Sequence, residues 1–372
     1  MMKRVALYPF TSDSFPLLQY LPIFCPDYQI VEVLSPLGTG FSGRDASVSV
    51  NRSDSGMMVS SDVQKAMTNC DVLLVPYGKP DDPVFSDACA LMKRAAEMGK
   101  DIWCGMKLTQ KQTRELSRLC RNHQVEFCYG FQEKFRWRTE NYYGNYKPSI
   151  PVVLVHNLTG EADSFEVTLA LTQRFQKDGY RVSTLGGRPE YNFLGLHGAS
   201  LFLETFYGNS TLKDVPLLLQ MYLQYFRFIE AEERPDVILV NFPGAAIANG
   251  NLFFNESGVL IYLFTQAIRP DYAVVCTLYH EATPTYLQVI SQELENRFGI
   301  GMDSTHISNR VLHSEQSRQK NKMETFYLPA EQAFQQAQKL KTERAAFCAI
   351  CEEEKDELYN HIIGSLTDYN NL

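Results

Sequence analysis

Short apolar runs alternate with helical patterns along the first third of the chain. Strand-like runs lie at Val5 to Tyr8, Ile30 to Leu34, Val72 to Val75, Ile102 to Cys104 and Val125 to Cys128. Between the later runs sit "FSDACALMKRAAEMG", ending at Gly99, and "TQKQTRELSRLCRNH", ending at His123. Asp87 stands near the start of the first helix, Lys93 and Arg94 come later, and a glycine closes it, the order that helix ends prefer. Strands separated by helices of this length predict a parallel sheet with right-handed crossovers.

The alternation breaks in "FQEKFRWRTENYYGNYKPSIP", which is aromatic, charged and closed by two prolines. A domain junction is expected there. The reading is therefore a first domain over residues 1–130, a linker over 131–150, and a second domain over 151–372. Alternation resumes in the second half, with strands expected at Val152 to Val155, Arg181 to Thr184, Val237 to Val240, Ala273 to Leu278 and Glu324 to Tyr327. Helical patterns lie between them, and Pro329 to Leu366 reads as helical with charged interruptions. The fold class predicted is α/β: two domains with mostly parallel sheets, the first Rossmann-like.

Composition narrows the function classes. The chain has 372 residues, 45% of them hydrophobic, enough for two cores. A formal net charge of -8 argues against a general attraction to nucleic acid or to an anionic membrane. "KFRWR", Lys134 to Arg138, is the one local basic patch singled out. No window reaches 18 apolar residues, and the basic start lacks the apolar stretch of a secretory signal. Nine scattered cysteines then read as reduced thiols in a cytoplasmic protein. In that compartment the Asn-x-Ser/Thr triplets at Asn51, Asn157, Asn209 and Asn255 are coincidental.

The turn from strand to helix in "VLVHNLTGEADSFEVTLAL", Val153 to Leu171, has the shape of a phosphate-binding loop. A working loop reads G-x-x-x-x-G-K-[ST]; its backbone N–H groups cradle phosphates and its lysine neutralises them. Aligned on the helix start, Leu158 replaces the first glycine, Asp163 the second, and Ser164 the lysine. Thr159, Gly160 and Ser164, with Asn241 at the end of a neighbouring strand, are read as a remnant phosphate site. Asp163 and Glu166 read as a capping box, with Asp163→Ala expected to cost about 1 kcal/mol. Carboxylates here also oppose a phosphate, by ~3 kcal/mol at ~5.5 Å and an effective dielectric near 20. In "RPDVILVNFPGA" the strand is expected to end at Asn241, followed by a turn at Pro243-Gly244. An acid usually holds magnesium at that strand end, and asparagine does so poorly. No cofactor is expected.

These features resemble the dethiobiotin-synthetase branch of P-loop proteins, through the order strand, loop, helix from Val152, then "GYRVSTLGGRPEYNFLG", then "DVILVNFPGA". The second domain is accordingly expected to be P-loop-like but degenerate. The whole chain is similar to a family of peptide maturation system proteins, through "ALYPF" at Ala6 to Phe10, "VLSPLGTGFSGRDAS" at Val33 to Ser47, "GYRVSTLG" at Gly179 to Gly186 and "THISNRV" at Thr305 to Val311. Members accompany radical-SAM enzymes and small ribosomally made peptides in anaerobic bacteria. The resemblance implies an accessory role in natural product biosynthesis, with a precursor peptide or its radical-SAM maturation enzyme as partner.

Other motifs carry less. "GTGFSG", Gly38 to Gly43, has a dinucleotide-binding spacing but follows the second strand, and no helix start follows it. A loop at the sheet's carboxyl edge is expected instead. Cys348-x-x-Cys351 is a single CxxC; His280, Glu281, Asp303, His306 and His313 show no metal-ligand spacing, so no metal site is expected. "VPLLLQMYLQYFRFIE" is apolar over much of its circumference, which fits a core helix by default and also a subunit interface in a homo-oligomer. Two readings follow: a non-hydrolysing accessory protein, or an enzyme using a nucleotide or phosphorylated ligand in the interdomain cleft.

Overall fold

The computed structural model describes residues 2–78, 82–131, 146–198, 215–250, 253 and 258–369. The basic patch at Lys134 to Arg138, most of the expected linker, Asn209 and Asn255 lie outside them. Two compact units are found. One comprises residues 1–133 with 188–198, the other 134–187 with 199–372.

The first unit is built on six strands: β1 (Lys3–Leu7), β2 (Tyr28–Leu34), β3 (Val59–Ser60), β4 (Val72–Gly78), β5 (Asp101–Met106) and β6 (Phe127–Tyr129). Their order is β3-β2-β1-β4-β5-β6, every pairing parallel. That is the doubly wound Rossmann order. Helices α1 (Phe15–Phe24), α2 (Val63–Asn69), α3 (Ala88–Glu97) and α4 (Gln110–Asn122) connect the strands. Thr109 caps α4 through a reciprocal box with Gln112. Asp87 does occupy the cap position of α3, but its side chain makes no capping bond. After "GTGFSG" comes a short 3-10 turn over Ala46–Ser49, not an α-helix.

A segment from much later in the chain completes this unit. Helix α6 (Glu190–Phe193) is part of residues 188–198. Glu190, fully buried, accepts from the Tyr77 N–H at 2.8 Å and pairs with Arg188 at 3.0 Å. Asn192 donates to the Gly130 carbonyl at 2.8 Å, and the Phe193 ring stacks on Trp103 at 5.6 Å. Nothing in the apolar pattern of residues 188–198 announced this.

The second unit is built on β7 (Val152–Asn157), β8 (Val182–Gly186), β10 (Val237–Ala245), β11 (Tyr272–Thr277), β12 (Ser304–Ile307) and β15 (Ala346–Phe347), while β9 (His197–Gly198) lies in residues 188–198 of the first. Their order is β15-β12-β11-β7-β10-β8. Strands β7, β10 and β11 are buried throughout or nearly so, as a parallel sheet covered on both faces requires. Helices α5 (Ser164–Lys177) and α12 (Glu352–Tyr369) pack one face through Val167, Leu171, Phe175, Leu358 and Ile362. On the other lie α7 (Val215–Glu232), α8 (Val259–Ala267) and α9 (Pro284–Phe298). The broad apolar helix α7 buries Leu218, Tyr222, Phe226 and Ile229 in that core and leaves Leu217 half exposed.

The expected strand at Glu324 to Tyr327 exists as β14 (Thr325–Tyr327) but joins no parallel sheet; it pairs antiparallel with β13 (Arg310–Leu312). Helix α10 (Ser314–Lys320) lies in the connection between these two strands, and α11 (Ala330–Leu340) follows them. No helix among the described residues is long and apolar enough to cross a membrane.

Candidate functional site

In the second unit the chain leaves β7 toward β8 and leaves the neighbouring β11 toward β12, in the opposite direction along the sheet. Adjacent strands whose connections diverge form the topological switch point, where open α/β sheets bind ligands at their carboxyl ends. The loop after β7 is the phosphate-loop-shaped turn, and three stretches converge on it: residues 246–249, 278–283 and 306–310.

That loop is tied down by its own chain. Asn157 Oδ1 accepts from the Ala162 N–H at 2.9 Å, and Leu158 N–H donates to the Cys276 carbonyl at 2.8 Å. Ile247 N–H donates to the Leu158 carbonyl at 2.9 Å. A phosphate loop keeps its N–H groups for the ligand; here two of them serve the fold. Gly160 is small for a neighbour's sake. A Cβ there would meet the Met323 methyl at 2.7 Å.

Asp163 departs most from its expected role. It occupies the N-cap position of α5 in a left-handed conformation, φ 65°, yet makes no capping hydrogen bond. The capping-box expectation fails because a stronger set of donors reaches the carboxylate first. Ser308 Oγ donates to Oδ2 at 2.5 Å, and Arg310 Nε donates to Oδ1 at 3.0 Å. His306 Nε2 stands 3.6 Å from Oδ2. Charge-assisted bonds of this kind are roughly twice as strong as neutral ones. Arg310 opens β13 and also lies over the Tyr327 ring of β14 at 4.9 Å, so its bond to Asp163 places the β13–β14 hairpin beside the loop. His306 is fully buried, and its Nδ1 accepts from the Ala349 N–H at 3.0 Å. A neutral ring accepting there carries its proton on Nε2, the side facing Asp163.

Glu281 forms the second centre. It lies in the 3-10 turn after β11, with 6% of its surface exposed. Burial pushes its carboxyl up to about 7, against the opposing pull of two donors. Those donors are the Thr159 hydroxyl and the Leu278 N–H, the latter at 3.0 Å. Thr159 also accepts from Asn249 Nδ2 at 3.4 Å. A buried carboxyl that titrates near neutrality at a switch point has the proton affinity of a general acid or base.

The four site residues expected from sequence therefore separate. Thr159 joins Glu281, with Gly160 beside it at the half-buried rim. Ser164 opens α5, buried, with its carbonyl accepting from Thr168. Asn241 does not end its strand. β10 runs on to Ala245 through an irregularity at Phe242 to Ala245, and Pro243-Gly244 lie within it. The Asn241 amide donates to the Val155 carbonyl at 3.4 Å, a bond inside the sheet.

Of the histidines and acids singled out in the sequence, Glu281 and His306 reach the site. His280 is exposed beside Glu281. Asp303 accepts from the Ala273 N–H at 2.7 Å at the strands' opposite end, and His313 caps α10. No group of three or more metal-binding side chains forms among the described residues. Ser308 and Arg310 were missed as site residues, although both fall in the "THISNRV" stretch quoted for the family resemblance.

Compared with models of known protein families and with curated proteins, the chain gives no match. Among solved structures it is similar to a DUF1611 family protein from Anabaena variabilis, with a TM-score of 0.64 at 14% identity, over 97% of this chain and 99% of that one. At that identity the likeness is one of fold, and it extends through both units.

Proposed function

We propose that this chain is a non-hydrolysing accessory protein that binds a peptide or a peptide-modifying enzyme, and that the loop after β7 no longer serves a nucleotide. One observation carries the second half of this reading. The cation beside the loop, Arg310, is already paired with the Asp163 carboxylate at the helix start. A triphosphate would meet Asp163, exposed Glu161 and Glu281 where phosphoryl transfer needs lysine and magnesium. Glu281 and Thr159 instead offer acceptors, which suit the N–H or ammonium groups of a peptide. The peptide-maturation setting rests on the family resemblance, and the site's own "THISNRV" stretch is part of it.

The test has two arms. Co-purification with the products of adjacent genes, a small peptide and its modifying enzyme, is expected at micromolar concentration. Melting with magnesium and ATP or GTP is expected to show no shift; a nucleotide at ~100 times its dissociation constant would add about 2.7 kcal/mol. Magnesium-dependent hydrolysis that vanishes in Ser164→Ala would overturn the reading.

A second reading is favoured by Glu281 alone: an enzyme that moves a proton at the same carboxyl edge. Turnover lost in Glu281→Gln, without loss of folding, would select it over the accessory role.

A further inference from the structure

The Cys348-x-x-Cys351 pair plays no part in the reading above. β15 runs into it and α12 begins directly after it, so the pair sits on a strand-to-helix turn. The turn is closed by the Cys351 N–H donating to the Cys348 carbonyl at 2.9 Å. Such a bond between residues three apart holds their Cα atoms within ~7 Å, close to disulfide reach. The Cys351 thiol already donates to the Cys348 sulfur at 3.8 Å. A disulfide requires the sulfurs to approach by roughly 1.8 Å more, within what side-chain rotation supplies. Cys348 is buried and Cys351 half buried, so only one of the two faces an external reagent.

The same turn is wired to the candidate site. Cys348 N–H donates to Glu354 Oε2 at 3.2 Å, and the next N–H, that of Ala349, donates to His306 Nδ1. His306 in turn faces Asp163.

We propose that Cys348 and Cys351 are a dithiol–disulfide couple, and that its closure acts on the Asp163 cluster through the Ala349–His306 hydrogen bond. The oxidant is a disulfide, RSSR, of the low-molecular-weight or protein kind. The Cys351 thiolate attacks one of its sulfurs and releases the first RS⁻, leaving a mixed disulfide on Cys351. The Cys348 thiolate then attacks Cys351 Sγ and releases the second RS⁻. Two electrons pass from the pair to RSSR, and the two thiol protons end on the two released thiols.

The experiment uses the full-length protein, equilibrated with glutathione buffers of graded ratio, quenched by alkylation and digested with trypsin. Both cysteines fall on one peptide, "AAFCAICEEEK", residues 345–355. This peptide is expected to lose both alkylations together and to become lighter by two hydrogens, while the other seven cysteines stay alkylated. In Cys348→Ser the expected product is a stable glutathione adduct on Cys351; in Cys351→Ser, Cys348 stays reduced. An adduct on Cys351 that persists in the unmutated chain, closure at other cysteines, or no change at any ratio would each overturn the couple. Imidazole nitrogen resonances of His306 report the coupling. They are expected to move on oxidation of the unmutated chain and not in Cys348→Ser/Cys351→Ser; unmoved resonances in the oxidised chain would overturn that link.

Discussion

Asp163 carries a larger energetic consequence than a helix cap does. Read as a cap, its loss would cost about 1 kcal/mol. Bonded to Ser308 and Arg310 it holds a buried cation, and removing one partner of such a pair costs ~3–5 kcal/mol. Asp163→Ala is therefore expected to lower the urea midpoint by the larger amount, and Asp163→Ala/Arg310→Met to recover part of the loss. A drop near 1 kcal/mol would restore the capping role. The partners stand 145 and 147 residues away, so no local pattern could have revealed them.

Two buried groups at the same residue scale give opposite pH signatures. The folded chain holds the Glu281 proton more tightly than the unfolded one, with the carboxyl raised from 4.5 to about 7. Stability from this group is full below pH 4.5 and is lost as pH rises through 7, by ~3 kcal/mol. His156, fully buried on β7, is pushed down from 6.5 to about 4 by burial. Its contribution is full above pH 6.5 and is lost as pH falls through 4. The two slopes oppose each other between about pH 4.5 and 6.5. Denaturant titrations of Glu281→Gln against the unmutated chain should show the variant gaining relative stability as pH rises from 4.5 to 7. Parallel curves would mean that Glu281 titrates as an ordinary carboxylate.

At the scale of elements, the long apolar runs were legible and the short polar ones were not. β7, β10 and β11 announce themselves because both faces are buried. β12, "STHI", is buried throughout but carries a histidine and two hydroxyls where apolar residues would signal a strand. β15 is two residues long. Expecting β10 to stop at Asn241 missed the irregularity that carries it to Ala245. The helix that follows is fixed by backbone contact. Gly258, at φ 75°, opens α8, and a Cβ there would lie 2.2 Å from the Ala246 carbonyl oxygen and 2.5 Å from Phe298. Gly299, at φ 66°, ends α9 with open space around it. Gly299→Ala should cost only the left-handed penalty of about 1–2 kcal/mol. Gly258→Ala adds a clash with backbone that cannot swing away, and should cost clearly more. Equal losses in thermal unfolding would show that the neighbours of Gly258 yield freely.

At the scale of the whole molecule, alternation along the chain predicted two α/β bodies and their parallel sheets, and the fold likeness over 97% of the chain agrees. What it could not predict is that residues 188–198 leave one body to finish the other. Phe193 makes this concrete, with 4% of its surface exposed and its ring on Trp103. Phe193→Ala is expected to cost about 3–5 kcal/mol. Hydrogen exchange should show the loss in β5, in the first unit, although the substitution lies beyond β7 and β8 of the second. Protection lost only in β7 and β8 would contradict this assignment.

The inserted segment also sets an order of events during synthesis. Domains usually fold as units, the N-terminal one first while the rest is still being made. Here the first body lacks Glu190, Asn192 and Phe193 until the ribosome has already delivered β7, α5 and β8 of the second. Tyr77 N–H, the Gly130 carbonyl and the face of Trp103 must wait for partners encoded more than sixty residues downstream. A nascent chain stalled shortly after residue 133 would therefore present an unfinished surface, and the two bodies mature together rather than in turn.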